Sequence, residues 1–228
     1  MARVCVFDVN ETLLDLGALD PQFERVFGDA GLRRLWFTQL LQSAMVATIT
    51  EVYTDFGAIG AAALAMVAAQ QGKVLTEADR QSILGAMPEL PPHPDVREGL
   101  ERLRAAGLRL AALTNSTQQV AEAQLRHAGL SSYFEQILSA DSVRRLKPAR
   151  EPYRMAAERM SVEPGMIRLV AAHAWDVAGA LRAGCAAAFV ARPGKVLDPL
   201  VEPPDVVGAD LREVAAAILQ RELPSVRS

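Results

Sequence analysis

Four sites in this sequence carry side chains that could do chemistry: Asp8, the pair Thr114-Asn115, Lys147 before Pro148, and Asp176. A carboxylate can attack carbon or phosphorus, or take a proton from water. A lysine can keep a nearby carboxylate ionised and stabilise developing negative charge, and hydroxyl and amide groups can hold an anion. Each residue also has a plainer use. Asp8 could cap a turn, Asn115 the next helix, Lys147 could be a solvated loop charge, and Asp176 a helix N-terminal acid favoured by the dipole. What favours chemistry is that all four follow apolar runs of strand length, so a parallel sheet would bring them to one edge.

The elements that must position them read clearly. Strands are expected at 4–7, 108–113, 136–138, 167–171, 187–190 and 205–207. They alternate with helices at 95–106, 118–128, 152–160, 176–183 and 211–221, the pattern of an α/β protein with a parallel sheet. Gly107, Gly129 and Gly184 fall where a helix end wants a left-handed residue. From about 18 to 90 the rhythm breaks into helical patterns only, at 21–27, 32–47, 55–71 and 77–87. Thr76 with Asp79 forms a capping box, and Pro88 is expected to stop the last of these helices. Residues 1–16 and 92–228 are therefore expected to form the α/β core and 17–91 an inserted helical cap. In open parallel sheets ligands bind beyond the carboxyl ends of the strands. The insert leaves from that end of the first strand and can roof the site against water.

The chain has 228 residues, half of them apolar, and a net charge of -3. That is enough for one large core, and it gives no electrostatic reason to expect nucleic acid. The apolar stretch 58–69 is too short to span a membrane. Cys5 and Cys185 lie in apolar segments and read as buried thiols of a cytoplasmic protein.

In order, Phe7-Asp8-Val9-Asn10-Glu11-Thr12-Leu13, Thr114-Asn115, Lys147-Pro148 and Ala174-Trp175-Asp176 resemble the four motifs of the haloacid dehalogenase superfamily. Trp175 beside Asp176, Tyr153 after the Lys-Pro pair and Leu35-Trp36 in the cap resemble its type II L-2-haloacid dehalogenases. The resemblance implies a Rossmann-like core with a helical cap, a homodimer, and a route through an ester on Asp8. Asp8 would displace halide from a short 2-haloacid. Lys147 would hold it ionised, and Asp176 would orient or deprotonate the water that cleaves the ester. Thr114 and the backbone amides of Val9 and Asn10 would hold the substrate carboxylate, and Tyr153 could hydrogen-bond into the site.

The rival is phosphoryl transfer, which most of that superfamily performs with magnesium. It needs a proton donor two residues after the nucleophile, where this chain has Asn10, whose amide cannot supply that proton. The first acid of the fourth motif is also missing, so no metal and no cofactor are expected. His173 could ligate a softer metal, but no second His or Cys lies near it. Three departures from the dehalogenase pattern count against ordinary chloroacids. Phe37 stands where an arginine would receive the halide, Glu11 where a glycine is usual, and Ala171 where a serine supports the site. The remaining candidates for halide are Asn115, Trp175 and His173. Arg33 and Arg34, one turn before Phe37, read as a solvated face. Phe37 and Leu41 would shrink the pocket towards fluoroacetate-sized acids. A catalytically silent binding protein is the third reading.

Overall fold

Successive strand residues point to opposite faces of a single sheet, and both faces are covered. Residues 3–223 are described, by a computed structural model. The strands β1 (Val4–Phe7), β2 (Leu110–Thr114), β3 (Gln136–Ser139), β4 (Ile167–Ala171), β5 (Ala186–Val190) and β6 (Val206–Gly208) pair in parallel in the order β3-β2-β1-β4-β5-β6. Cys5 and Phe7 pack with Leu100, Leu125 and Ile218 on one face; Val4 and Val6 pack with Tyr153, Ala156 and Val177 on the other. Double coverage explains why the strands read as unbroken apolar runs.

The first face is closed by α5 (Val96–Ala105), α6 (Gln118–His127) and α9 (Leu211–Glu222), the second by α7 (Arg150–Arg159) and α8 (Ala174–Arg182). Gly107, Gly129 and Gly184 all have positive φ. After each, the next N–H reaches back five residues to the helix, as in Leu108 to Leu103. That closure moves the start of β2 to Leu110, since Leu108 is still held by the preceding helix.

Between β1 and β2 stand α1 (Asp20–Phe27), α2 (Leu32–Ile49), α3 (Phe56–Gln70) and α4 (Glu77–Leu84), with no strand among them. The capping box of Thr76 and Asp79 is formed. The α4 helix ends at Leu84, ahead of Pro88, which sits in a separate 3₁₀ turn. In α2, the Trp36 indole donates to the Gly60 carbonyl of α3 at 2.9 Å. A Cβ at Gly60 would come within 3.2 Å of Leu40, so the glycine permits this close packing. Among the described residues no helix is long and apolar enough to cross a membrane.

The segments entering and leaving the helical insert run side by side. Asp15 N–H donates to Pro91 O at 2.8 Å and His93 N–H to Leu13 O at 2.9 Å. The strand order reverses between β1 and β4, so the crevice beyond their carboxyl ends is where a ligand of such a sheet belongs.

Candidate active site

Asp8 is the first residue beyond β1 and is buried. Its Oδ1 accepts from Lys147 Nζ at 2.9 Å; its Oδ2 accepts from Thr12 Oγ1 at 2.6 Å and lies 3.1 Å from His173 Nδ1. Thr12 Oγ1 itself accepts the Ala172 N–H, so its proton is directed at Asp8. Burial alone would raise the Asp8 carboxyl. The Lys147 charge and the His173 and Thr12 hydrogen bonds outweigh it and hold Asp8 well below the usual carboxylate range.

Lys147 uses all three of its protons: on Asp8, on Asp176 Oδ2 at 2.6 Å, and on the Leu113 carbonyl at 3.0 Å. Burial works against its charge, but Asp176 and Asp8 more than compensate, and its pKa is raised. Asn115 fixes the lysine from behind, accepting Lys147 N–H at 2.8 Å and donating to Lys147 O at 3.3 Å. Asp176, in the first turn of α8, is fully buried, and Tyr153 donates to its Oδ1 at 2.5 Å. Burial first, then the Asp8 charge, raise the Asp176 pKa against the pull of Lys147. An ionised carboxylate and a more basic second one thus share one ammonium.

Asp8, Asn10, Phe37, Leu41, Thr114, Asn115, Lys147, His173 and Trp175 border a single cavity with Phe56. Its free space is about 10 Å³, room for about one water molecule. Phe37 and Leu41 reach it from α2, so the helical insert does roof the crevice. The Trp175 indole N–H is buried without a hydrogen-bond partner. Thr114 Oγ1 accepts the Ser116 N–H, which leaves its own proton to donate. Among the described residues the backbone amides of Val9 and Asn10 have no protein acceptor.

Several sequence expectations are corrected by these positions. Tyr153 does not line the cavity, so no substrate contact falls to it; its hydrogen bond into the site goes to Asp176. Gly179 makes that contact possible, since a Cβ there would lie 2.5 Å from the Tyr153 oxygen. Val9 and Asn10 have backbone roles only in the sequence reading, and their side chains are engaged elsewhere: Asn10 with Ser116 and Gln124, Val9 in the core. His173 has no ring nitrogen free for a halide, because Nε2 lies 2.9 Å from Glu11 Oε2 while Nδ1 faces Asp8. Arg33 is no solvated residue but is buried against Asp20 and Glu11; Arg34 is exposed.

Sequence reasoning attached no role to Thr12, Arg192 or Lys195. Arg192 ties the Thr12 carbonyl to Asp95, which in turn accepts the Leu211 N–H, clamping the turn after β1 to the starts of α5 and α9. Lys195 donates to Glu11. Glu11 has φ of 60, a left-handed setting that costs a side chain roughly 1–2 kcal/mol. Burial would raise its carboxyl, yet His173 and Lys195 bring it down to about 2. The one visible signal was a charged residue where a turn asks for glycine. Beyond Glu11 and Phe37 opens a cleft of about 500 Å³ bordered also by Arg33, Arg34 and Lys195.

A family model for haloacid dehalogenase-like hydrolases matches residues 2–184. The chain is 29% identical over 210 residues to an (S)-2-haloacid dehalogenase of Pseudomonas sp. strain YL, covering 91% of this chain and 90% of that one. It is 30% identical over 194 residues to (S)-2-haloacid dehalogenase 4A of Burkholderia cepacia, covering 84% of each. The solved L-2-haloacid dehalogenase of Xanthobacter autotrophicus with chloropropionic acid covalently bound superposes with a TM-score of 0.89 at 25% identity, over 98% of this chain and 100% of that one.

Proposed function

This chain belongs to the haloacid dehalogenase-like hydrolases, and from that premise we propose that it hydrolyses short 2-haloacids to 2-hydroxy acids through an ester on Asp8. The observation that carries the reading is an ionised, buried Asp8 that shares Lys147 with a second carboxylate and faces a cavity holding an unpaired indole N–H.

Oδ2 of Asp8 already accepts twice, whereas Oδ1 accepts only from Lys147 and keeps a lone pair for attack. Oδ1 displaces the halogen from the substrate α-carbon, and the halide leaves with the bonding pair. Thr114 and the amides of Val9 and Asn10 hold the substrate carboxylate. The Trp175 indole N–H is the receiver of the halide in place of the arginine that Phe37 supplants. Asp176 then takes a proton from the water that attacks Asp8 Cγ. Residues 17–91 act as the cap, and a cavity this tight favours the smallest acids, of fluoroacetate size, over longer ones once it opens to admit them.

The donor set does not fit magnesium, which wants several free oxygen ligands in octahedral array. Both Asp176 oxygens and both Asp8 oxygens are already engaged by Lys147, Tyr153, Thr12 and His173. With the Asn10 amide turned aside as well, displacement at carbon is favoured over phosphoryl transfer.

The test is halide release from fluoro-, chloro- and bromoacetate and 2-chloropropionate, with and without chelator. In a single turnover in ¹⁸O water the label should enter Asp8. Release from none of the acids, or label passing directly into product, overturns the reading. Pairing of two chains through the cap is also proposed, on the exposed Val46, Ile49 and Val52 at the end of α2; light scattering of an Ile49→Glu variant should then report monomers. Cytoplasmic residence is proposed on the two free buried thiols.

A further inference from the structure

His173 is held at both ends by carboxylates, and beyond helping to keep Asp8 ionised it takes no part in the displacement at carbon. Nδ1 lies 3.1 Å from Asp8 Oδ2 and Nε2 lies 2.9 Å from Glu11 Oε2, with the ring buried. A neutral imidazole carries a single N–H, so one of these contacts would set lone pair against lone pair in a dry site. Only the imidazolium donates to both oxygens. Burial opposes that charge, but the bonds to Asp8 and Glu11 outweigh it and raise the His173 pKa.

The oxygen that His173 touches is the one that does not attack. Once Oδ1 is bonded to the substrate carbon, Oδ2 is the ester carbonyl oxygen, already placed between Thr12 Oγ–H and His173 Nδ1–H. Resting on the ester reading above, we infer that His173, kept as an imidazolium by Glu11, forms with Thr12 the oxyanion hole for hydrolysis of the Asp8 ester. Water adds to Cγ, its proton passes to Asp176, and the carbonyl π pair moves onto Oδ2 between the two donors. Collapse re-forms the carbonyl and breaks the Cγ–Oδ1 bond. The departing 2-hydroxy acid oxygen takes the proton from Asp176, and the Asp8 carboxyl, now holding the water oxygen, loses its proton to solvent.

Glu11 is the positioning residue of this device. Esterification removes the Asp8 charge, so in the intermediate Glu11 is, among the described residues, the anion still in contact with the ring. Glu11 is in turn faced by Lys195 and, from α2, by Arg33. Lys147 and Asp176 lie on the Asp8 side, and the rings of Phe37 and Trp175 flank the imidazole at 6.1 and 5.1 Å. Among the described residues no other charged side chain pairs with it. The left-handed backbone of Glu11 is the local distortion that delivers its carboxylate to Nε2.

The experiment has two parts. In ¹⁵N-histidine NMR of the wild-type protein, His173 should show two protonated nitrogens at pH 7; a neutral ring there overturns the inference without any variant or substrate. In quenched-flow with bromoacetate, intact mass would follow the Asp8 adduct. His173→Gln should form the ester within about threefold of wild type yet hydrolyse it roughly a hundredfold slower, the scale of one lost oxyanion donor. Glu11→Gln should move the alkaline limb of ester hydrolysis down by about one pH unit or more, leaving ester formation alone. Equal slowing of both steps, which a merely structural role would give, overturns the inference. No adduct in any protein, wild type included, overturns the ester reading itself and this role with it.

Discussion

Replacing Lys147 with methionine keeps the length of the side chain and removes its charge, which isolates what the ammonium does. Three hydrogen bonds vanish, and Asp8 and Asp176 are left as two carboxylates in a site that is almost fully buried. Breaking a buried ion pair from one side costs about 3–5 kcal/mol, and for a chain of this size that lowers Tm by roughly 10 °C. The pH dependence separates this cause from simple loss of packing. Without Lys147, burial and mutual repulsion raise the folded pKa of the carboxylate pair above the unfolded value of ~3.9. A carboxylate raised on folding destabilises the native state increasingly as pH climbs from the unfolded towards the folded pKa. The deficit of Lys147→Met should therefore be larger at pH 7 than at pH 5, by about 1–2 kcal/mol. Urea unfolding of both proteins at the two pH values measures it. A deficit below 1 kcal/mol, or one equal at both pH values, would refute the assignment of Lys147 as the charge that keeps two carboxylates in the core. Halide release should be lost in the variant at either pH.

Trp175→Phe removes the unpaired indole donor at the cavity and keeps the ring. A hydrogen bond to a developing anion is worth about 1.5–3 kcal/mol, so the halide burst should slow by roughly 10–150-fold while the variant unfolds as wild type does. Gly179→Ala should push the Tyr153 hydroxyl off Asp176 and slow ester hydrolysis, and Tyr153→Phe should reproduce that kinetic effect; a Gly179→Ala enzyme with unchanged kinetics would contradict the tight approach of α7 and α8. Glu11 falls from 4.5 to about 2 on folding, so its contribution is present above the unfolded pKa and lost as pH drops towards 2. The stability difference between wild type and Glu11→Gln, up to about 3 kcal/mol at neutral pH, should therefore shrink across that window in urea titrations. His173 has the opposite sign, stabilising below its unfolded pKa of 6.5 and less as pH rises through its raised folded value.

The strands, the three glycine helix ends and the cap helices were legible because their signals are local: an apolar run, a cap, a residue that tolerates positive φ. Asp8, Asn115, Lys147 and Asp176 were legible because each follows such a run in the chain. The rest of the site depends on contacts between distant segments. His173 meets Glu11 across 162 positions and Lys195 meets it across 184, and a histidine or lysine in a loop looks the same in sequence whether solvated or captured. Arg33 read as surface because its helix face is charged; only the fold shows that Glu11 and Asp20 enclose it. Tyr153 was placed near the site without a partner for a similar reason. Its distance from Asp176 is set by the glycine at 179, whose absent side chain leaves no mark that a pattern of apolar residues could reveal.

The order of the strands has a consequence for when this protein can react at all. Lys147 lies 139 positions after Asp8, and His173 lies 165 after it, on segments flanking β4, the strand that pairs with β1 beyond the point where the sheet reverses. A growing chain therefore carries Asp8 long before the lysine and the imidazole that flank it, and until then as an ordinary aspartate. Reactivity arrives only once β4 has been made and has found β1. The site is a late product of assembly, and it records that the sheet has closed.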